Sequence, residues 1–407
     1  MKADERWITA LDASKALRVD RSTLYAYVSR GFIRSESKPG SSRERRYSRD
    51  DVERLRRRTE ERRNPDKAAA HALQWGMPIL ESSITLIAGN TLYYRGHDAV
   101  VLARTRSLAE VASLIWTGRF DPGACAGAPR IEAGSVLKDD NLAFVARAQS
   151  QLAVASATDA LAFDLRPDGV ARTGWRILMR LTAIAARTHT LAPTVEETLA
   201  RMWKVNARGV DLLRAALILC ADHELNVSSF TARCVASSGA NPYAVVLAGL
   251  AAIEGTKHGG VSIRVESMLE SLRRTPNLRR ALAERLRRGE AIDGFGHPLY
   301  RDGDPRASAL MELLRDRYPK SPELAFAIDA AEAAASVIRE RPTIDFALAS
   351  TARVLRLPSG SPLTLFALGR TIGWIGHAIE QYATGQIIRP RAKYVGNVVV
   401  ADGRDIR

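Results

Sequence analysis

Two apolar stretches constrain the fold more than anything else in this chain: VDLLRAALILCADHELN at residues 210–226 and YAVVLAGLAAIEG at 243–255. Each reads as a helix that is apolar nearly all round, and such a helix must be surrounded by other structure. The longest strongly apolar run, YAVVLAGLAAI, is far short of the ~20 residues that cross a bilayer. The chain is therefore expected to bury these helices inside a large helical core. At 407 residues it has length for two or three domains. An aromatic fraction of only 6%, beside abundant alanine and leucine, favours helices over a β-sandwich. RSLAEVASLIWTG (106–118) adds an amphipathic helix ending at a glycine. The fold class is mainly α, with no internal repeat.

Charge divides the chain. The net charge is +15, which points to an anionic partner. Residues 1–67 hold 19 Lys or Arg against 12 Asp or Glu, so the front is the most basic part. There, Leu11, Ala13 and Leu17 give the apolar face of a short helix, and Ser22 is the expected cap of a second, closed by Gly31. SESKPGSSRERRYS reads as a hairpin with Pro39-Gly40 at its tip, and Asp50 as the cap of a third helix. Helix, turn, helix and basic wing resemble a winged helix-turn-helix of the MerR or excisionase type. The resemblance implies DNA binding: Arg21, Arg45 and Arg46 would meet phosphates, with Thr23 and Tyr25 near the groove. Docking on a protein is the other reading. The expected boundaries are 1–63 for this module, 64–74 for a linker and 75–407 for the helical body.

Four polar spots interrupt the apolar body. His223 is expected at the end of the first buried helix. His258 precedes Gly259-Gly260 and a helical run, where the positive end of the helix dipole favours a neutral imidazole. GFGHPLYRDGDPRA (294–307) sets His297 in a loop shaped by three glycines, with Arg301, Asp304 and Arg306 close by. Asp345 lies between apolar residues, where a carboxyl's pKa rises and the group can serve as a base. Cys125, Cys220 and Cys234 have no metal spacing and suit a reducing, cytoplasmic compartment. No metal and no membrane segment is expected.

Together these segments resemble the citrate synthase family. DHELNVSSFTARCVASSGANPYAVVLAGLAAIEGTKHGG, GFGHPLYRDGDPRA, IDFAL, LFALGRTIGWIGHAIEQ and IIRPRAKYVG fall in the family's order. LYYRGHDAVVLARTRSLAEVASLIWTG is similar to its entry region, and residues 120–205 match least. The resemblance implies large and small helical domains, the small closing one roughly 224–345, usually in a homodimer. It implies that Asp345 deprotonates the methyl of acetyl-CoA, His258 stabilises the enol and His297 protonates the carbonyl of oxaloacetate. His223, Arg306, Arg370 and Arg389 would hold oxaloacetate, and Arg301 a CoA phosphate. The CoA thioester is a substrate, and no cofactor is implied.

The chemistry independently wants these groups. A thioester methyl is a weak acid, so its base needs an electrophilic partner at the oxygen. A dicarboxylate suits several guanidinium forks. The chain departs from the family at Pro298, after the loop histidine, and at Phe346-Ala347-Leu348-Ala349, after the aspartate. The leading expectation is a citrate synthase. A 2-methylcitrate synthase, a citryl-CoA lyase, or a DNA-binding regulator with a sensor body are the alternatives. His377 is expected to be structural, and His71, His97 and His189 have no expected role.

Overall fold

The structure is a computed structural model that describes residues 7–17, 19–29, 32–38, 41–53, 55, 80–125, 142–392, 395–396, 399–401 and 404–406. The chain divides into two units, Met1–Glu81 and Ser82–Arg407.

In the first unit, β1 (Trp7–Thr9), β2 (Ser35–Lys38) and β3 (Ser41–Ser48) form an antiparallel sheet in the order β1-β3-β2. Helices α1 (Ala10–Leu17) and α2 (Arg21–Ser29) share a core with it made of Ala13, Leu17, Leu24, Ile33, Tyr47 and Val52. Helix, turn, helix and wing strands thus follow the expected order. Gly31, the Pro39-Gly40 tip, the linker and most of the charged run after residue 53 lie outside the described residues.

Three local expectations are corrected. Leu11 is 50% exposed, so α1 packs through Ala13 and Leu17. Asp20, not Ser22, caps α2: the Thr23 N–H donates to Asp20 Oδ1 at 2.7 Å, and the Ser22 hydroxyl donates to the same oxygen. A cap must stand just outside the first turn, and Ser22 is already inside it. Residues 49–53 are helical, so Asp50 lies within the third helix, and Ser48 Oγ accepts from the Asp51 N–H at 3.4 Å.

The second unit opens with a small antiparallel sheet of β4 (Thr85–Ala88), β5 (Thr91–Tyr94) and β6 (His97–Asp98). Helices follow: α3 (Ala99–Thr105), α4 (Leu108–Thr117), α5 (Phe144–Thr158), α6 (Pro167–Ala186), α7 (Val195–Met202), α8 (Ala207–Leu219), α9 (Val227–Ser237) and α10 (Pro242–Ile253). Then come α11 (Gly260–Arg273), α12 (Leu278–Arg287), α13 (Pro305–Arg317), α14 (Pro322–Ile338), α15 (Ile344–Leu355) and α16 (Ser361–Thr384), with a hairpin of β7 (Val399–Ala401) and β8 (Arg404–Ile406) after them. The expected glycine end of α4 is present, with Gly118 at φ 76°, and a capping box of Ser107 and Glu110 opens the helix.

The expected buried stretches are α8 and α10. Nearly every residue of α16 is buried too, and it crosses close to the end of α8. A Cβ on Gly373 would stand 2.5 Å from the Ala221 carbonyl oxygen, so only glycine permits this approach. The Gly373 N–H donates to that same oxygen at 2.9 Å. Where α8 ends at Leu219, side chains from elsewhere satisfy terminal carbonyls. Tyr94 Oη donates to Ile218 O at 3.0 Å, and Arg370 Nε donates to Cys220 O at 2.9 Å. His223 therefore sits in the bend after α8, not on the helix.

Candidate active site

The glycine loop takes the shape its sequence demands. Gly294 and Gly296 have φ of 87° and 76°, in the left-handed region that side chains disfavour. The loop is stitched to the segment that leads into α15. The Thr343 N–H donates to Gly294 O at 2.8 Å, and the Gly296 N–H to Arg341 O at 2.9 Å. Asp345 lies in the first turn of α15, so the loop carrying His297 and the helix carrying Asp345 form one hydrogen-bonded piece.

Asp304 fastens a third part. It caps α13, and its buried carboxylate accepts Arg306 Nε at 2.9 Å and Nη2 at 2.8 Å. Its Oδ2 also accepts the Ile344 N–H at 3.0 Å. Burial alone would lower the Arg306 pKa, but the Asp304 ion pair outweighs it and raises it. This bidentate contact modifies the expectation for Arg306. One edge of its fork belongs to Asp304, so a ligand carboxylate would meet the remaining N–H groups.

Around this frame stand the histidines. His223 Nε2 lies 2.9 Å from Tyr300 Oη. The ring centroids of His223 and His297 are 5.1 Å apart, and those of His297 and Tyr300 are 4.9 Å apart. The Arg306 guanidinium lies 5.7 Å from the centre of the Tyr300 ring. The Leu299 N–H donates to His297 Nδ1 at 3.2 Å, which places the proton of the neutral ring on Nε2. Burial, then the Arg306 charge, lowers the His297 pKa to about 4. Burial, then Arg306 and Arg370, pushes His223 well below its ordinary value.

His258 sits at the junction before α11. Its Nε2 lies 2.8 Å from Ser228 Oγ, which also accepts Trp374 Nε1–H at 3.2 Å. Its pKa is lowered to about 4, first by burial and then by Arg370. The expected neutral imidazole is present, with burial as its largest cause. Asp345 accepts the Ser262 hydroxyl at 2.5 Å. Burial raises its pKa, against the opposing pull of Ser262 and Arg306. Arg370, buried in α16, acts electrostatically on both His223 and His258, and Arg306 on His223, His297 and Asp345. These groups therefore share one electrostatic neighbourhood.

Arg301 is exposed in the turn after Tyr300, and Arg389 is exposed in the extended segment after α16. His377 is fully buried, with Nε2 3.2 Å from Asp222 Oδ1. In the first unit Arg21 and Arg45 are exposed and Tyr25 is 52% exposed. The Thr23 N–H is used in the cap of α2. Arg46 pairs with Glu36 at 2.7 Å and lies 5.6 Å from the Trp7 ring centre.

Sequence reading missed Ser228, Ser262, Tyr300 and Trp374 as members of the site. Spacing offered a signal for two of them: Ser262 lies four residues after His258, and Tyr300 three after His297. Ser228 and Trp374 reach the site only through the crossing of α9 and α16. Among the described residues, no group of three or more His, Cys, Asp or Glu could hold a metal ion.

One carboxyl with a raised pKa, three imidazoles with lowered pKa values and two buried guanidiniums on a mainly helical scaffold suit an enzyme of the acid–base type. Comparison with known proteins narrows that class. Residues 72–391 match the family described as citrate synthase, C-terminal domain, and residues 9–59 the MerR HTH family regulatory protein. Citrate synthase 2 of Bacillus subtilis is 28% identical over 351 residues, covering 79% of this chain and 94% of that one. The citrate synthase of Haloferax volcanii is 29% identical over 364 residues, covering 79% and 94%. The crystal structure of citrate synthase from Thermotoga maritima superposes with a TM-score of 0.65 at 26% identity, covering 80% of this chain and 96% of that one. The chain belongs to the citrate synthase family, a family of transferases, and carries a MerR-type helix-turn-helix domain at its N-terminus.

Proposed function

We propose that the second unit condenses acetyl-CoA with oxaloacetate and water to give citrate and CoA. The observation that carries this reading is the joining of Asp345, His297 and Arg306 into one hydrogen-bonded piece, electrostatically coupled through Arg370 to His258. Asp345 takes a proton from the acyl methyl while His258 donates a hydrogen bond to the thioester oxygen. The carbon nucleophile attacks the ketone of oxaloacetate, and the developing alkoxide takes the Nε2 proton of His297. Water then cleaves the thioester and CoA leaves. Neutral imidazoles suit this chemistry, because each acts as a hydrogen-bond donor without adding a full charge to the buried site. His223, Arg306 and Arg370 hold the oxaloacetate carboxylates, with Arg389 supplied by the second subunit of a homodimer. Arg301 meets a CoA phosphate. Residues of roughly 224–345 close over the substrates and exclude water until the condensation is complete.

Thiol release tests the reaction. Purified protein should liberate CoA from acetyl-CoA only when oxaloacetate is present. A panel including propionyl-CoA separates citrate from 2-methylcitrate synthesis. Well-folded protein that releases no thiol from either substrate would sink the enzyme reading.

For the first unit we propose DNA binding, supported by its MerR-type match and its basic composition. We place the protein in a reducing cytoplasm, a reading supported by Cys125, Cys220 and Cys234, all of which are free thiols. No described helix is long and apolar enough to cross a membrane.

A further inference from the structure

We propose that Ser262 is a positioning residue for the carbon base: its hydroxyl holds Asp345 Oδ1 and leaves Oδ2 as the oxygen that receives the substrate proton. This role rests on the condensation reading above. Ser262 is fully buried in the first turn of α11, and its Oγ donates to Oδ1 at 2.5 Å. A serine inside a helix ordinarily returns its hydroxyl to a carbonyl one turn back. Here the hydroxyl instead reaches a carboxylate 83 residues away in sequence.

The placement gives that contact a chemical consequence. His258 stands at the entry to α11, and Ser262 lies one turn along. The same helix thus carries the donor for the thioester oxygen and the hydroxyl that orients the base. A base and an electrophile acting on adjacent atoms of one acyl group must keep a fixed separation. The Asp345 carboxyl is faced by Ser262 from α11, by Asp304 and Arg306 at the start of α13, and by its own backbone N–H, and its charge also acts on Arg264 of α11 and on the Cys220 thiol. Ser262 is the uncharged side-chain donor among these groups. A hydroxyl donated to a carboxylate stabilises the ionised form, the form that can accept a carbon-bound proton. Ser262 and Arg306 together oppose the burial that would otherwise keep the carboxyl protonated.

The test compares full-length wild type, Ser262→Ala and Ser262→Thr across pH. In Ser262→Ala the acid limb of kcat should move to higher pH. Turnover at the acid end should fall about tenfold or more, the scale of one hydrogen bond to a charged group. Oxaloacetate binding, measured calorimetrically without acyl-CoA, should stay at the wild-type value and report an intact fold. Ser262→Thr keeps the hydroxyl and should keep the wild-type limb. A structural role alone would lower kcat at every pH without moving the limb. An unmoved limb in Ser262→Ala, or a limb displaced equally in Ser262→Thr, overturns the role while the reaction stands. A wild type that releases no thiol overturns the reaction and this role with it.

Discussion

Ser228 Oγ lies 2.8 Å from His258 Nε2, and the indole N–H of Trp374 donates to the same oxygen at 3.2 Å. The serine hydroxyl has one proton and two acceptors in reach, His258 Nε2 and Asn226 Oδ1. Asn226 Oδ1 already accepts the backbone N–H groups of Ser228 at 3.1 Å and Ser229 at 3.2 Å. The hydroxyl donates to Asn226 Oδ1 at 2.8 Å, which fixes the serine oxygen as the partner that orients the His258 ring. Ser228→Ala should lose ~10-fold to ~100-fold in turnover, the scale of losing one orienting hydrogen bond. Its affinity for oxaloacetate should barely change. A variant with wild-type kcat would show that the serine does not orient the ring.

Asp345 should be indispensable to turnover but not to folding. Asp345→Asn removes the proton acceptor while keeping nearly the same shape. It should lose at least ~100-fold in rate, the lower scale of a general base's contribution. Oxaloacetate binding by the variant checks that the site is still assembled. Turnover within a few-fold of wild type would mean that another group is the base.

The three site imidazoles should make the protein acid-sensitive well above pH 4. Unfolded histidines take up protons near pH 6.5, whereas folded His258 and His297 do so only near about 4, and His223 is also depressed. Between those limits the unfolded chain binds more protons, so stability falls as pH falls. Asp345 works in the opposite sense, because its raised pKa makes the folded state bind a proton above 3.8. Within the site three lowered imidazoles outnumber the one raised carboxyl, so the site's contribution should lower Tm between pH 7 and pH 5. His258→Asn should flatten that drop. A variant with the full wild-type slope would contradict the assignment.

Much of this site was legible because its residues carry their own local signals. Gly294 and Gly296 announced a shaped loop, and His258 announced a helix entry through Gly259-Gly260. What the sequence concealed is set by distant packing. Trp374 reaches Ser228 across 146 residues, and Tyr94 donates to the Ile218 carbonyl of α8 across 124. The partial engagement of Arg306 was written locally in Asp304, two residues earlier, yet the motif alone does not say which way the guanidinium faces. Local capping in the first unit falls two residues before Ser22 and Asp50, at Asp20 and Ser48, where neighbouring Asp and Ser compete for the same role.

Arg389 is exposed in the segment after α16. In a homodimer with shared sites it would complete the neighbour's oxaloacetate site. Arg389→Ala and His297→Ala should each be inactive, and mixing them should restore activity, because one of the two sites in each hybrid holds both residues. The assay is thiol release after subunit exchange, with exchange followed by differently tagged chains. Zero activity despite demonstrated exchange would refute the shared site.

The first unit supplies the last prediction. If its arginines meet phosphates, each contact releases counterions, and affinity should fall with a log–log salt slope of about −0.9 per contact. The wing arginines are not equivalent. Arg45 is exposed, whereas Arg46 pairs with Glu36 and lies over Trp7, so it also holds β3 to its neighbours. Arg45→Glu should weaken binding on every DNA sequence and leave Tm near wild type. Arg46→Glu should also lower Tm, because it sets two carboxylates side by side across the β2–β3 ladder. Tyr25, exposed on α2, and Thr23 should alter sequence preference when changed. A dimer presents two such modules, so a palindromic site is the natural target. Anisotropy titrations with random and genomic DNA at low salt, on full-length protein and on a version starting at Ala68, decide the matter. Equal binding by the two proteins would mean that the module docks on protein instead of DNA.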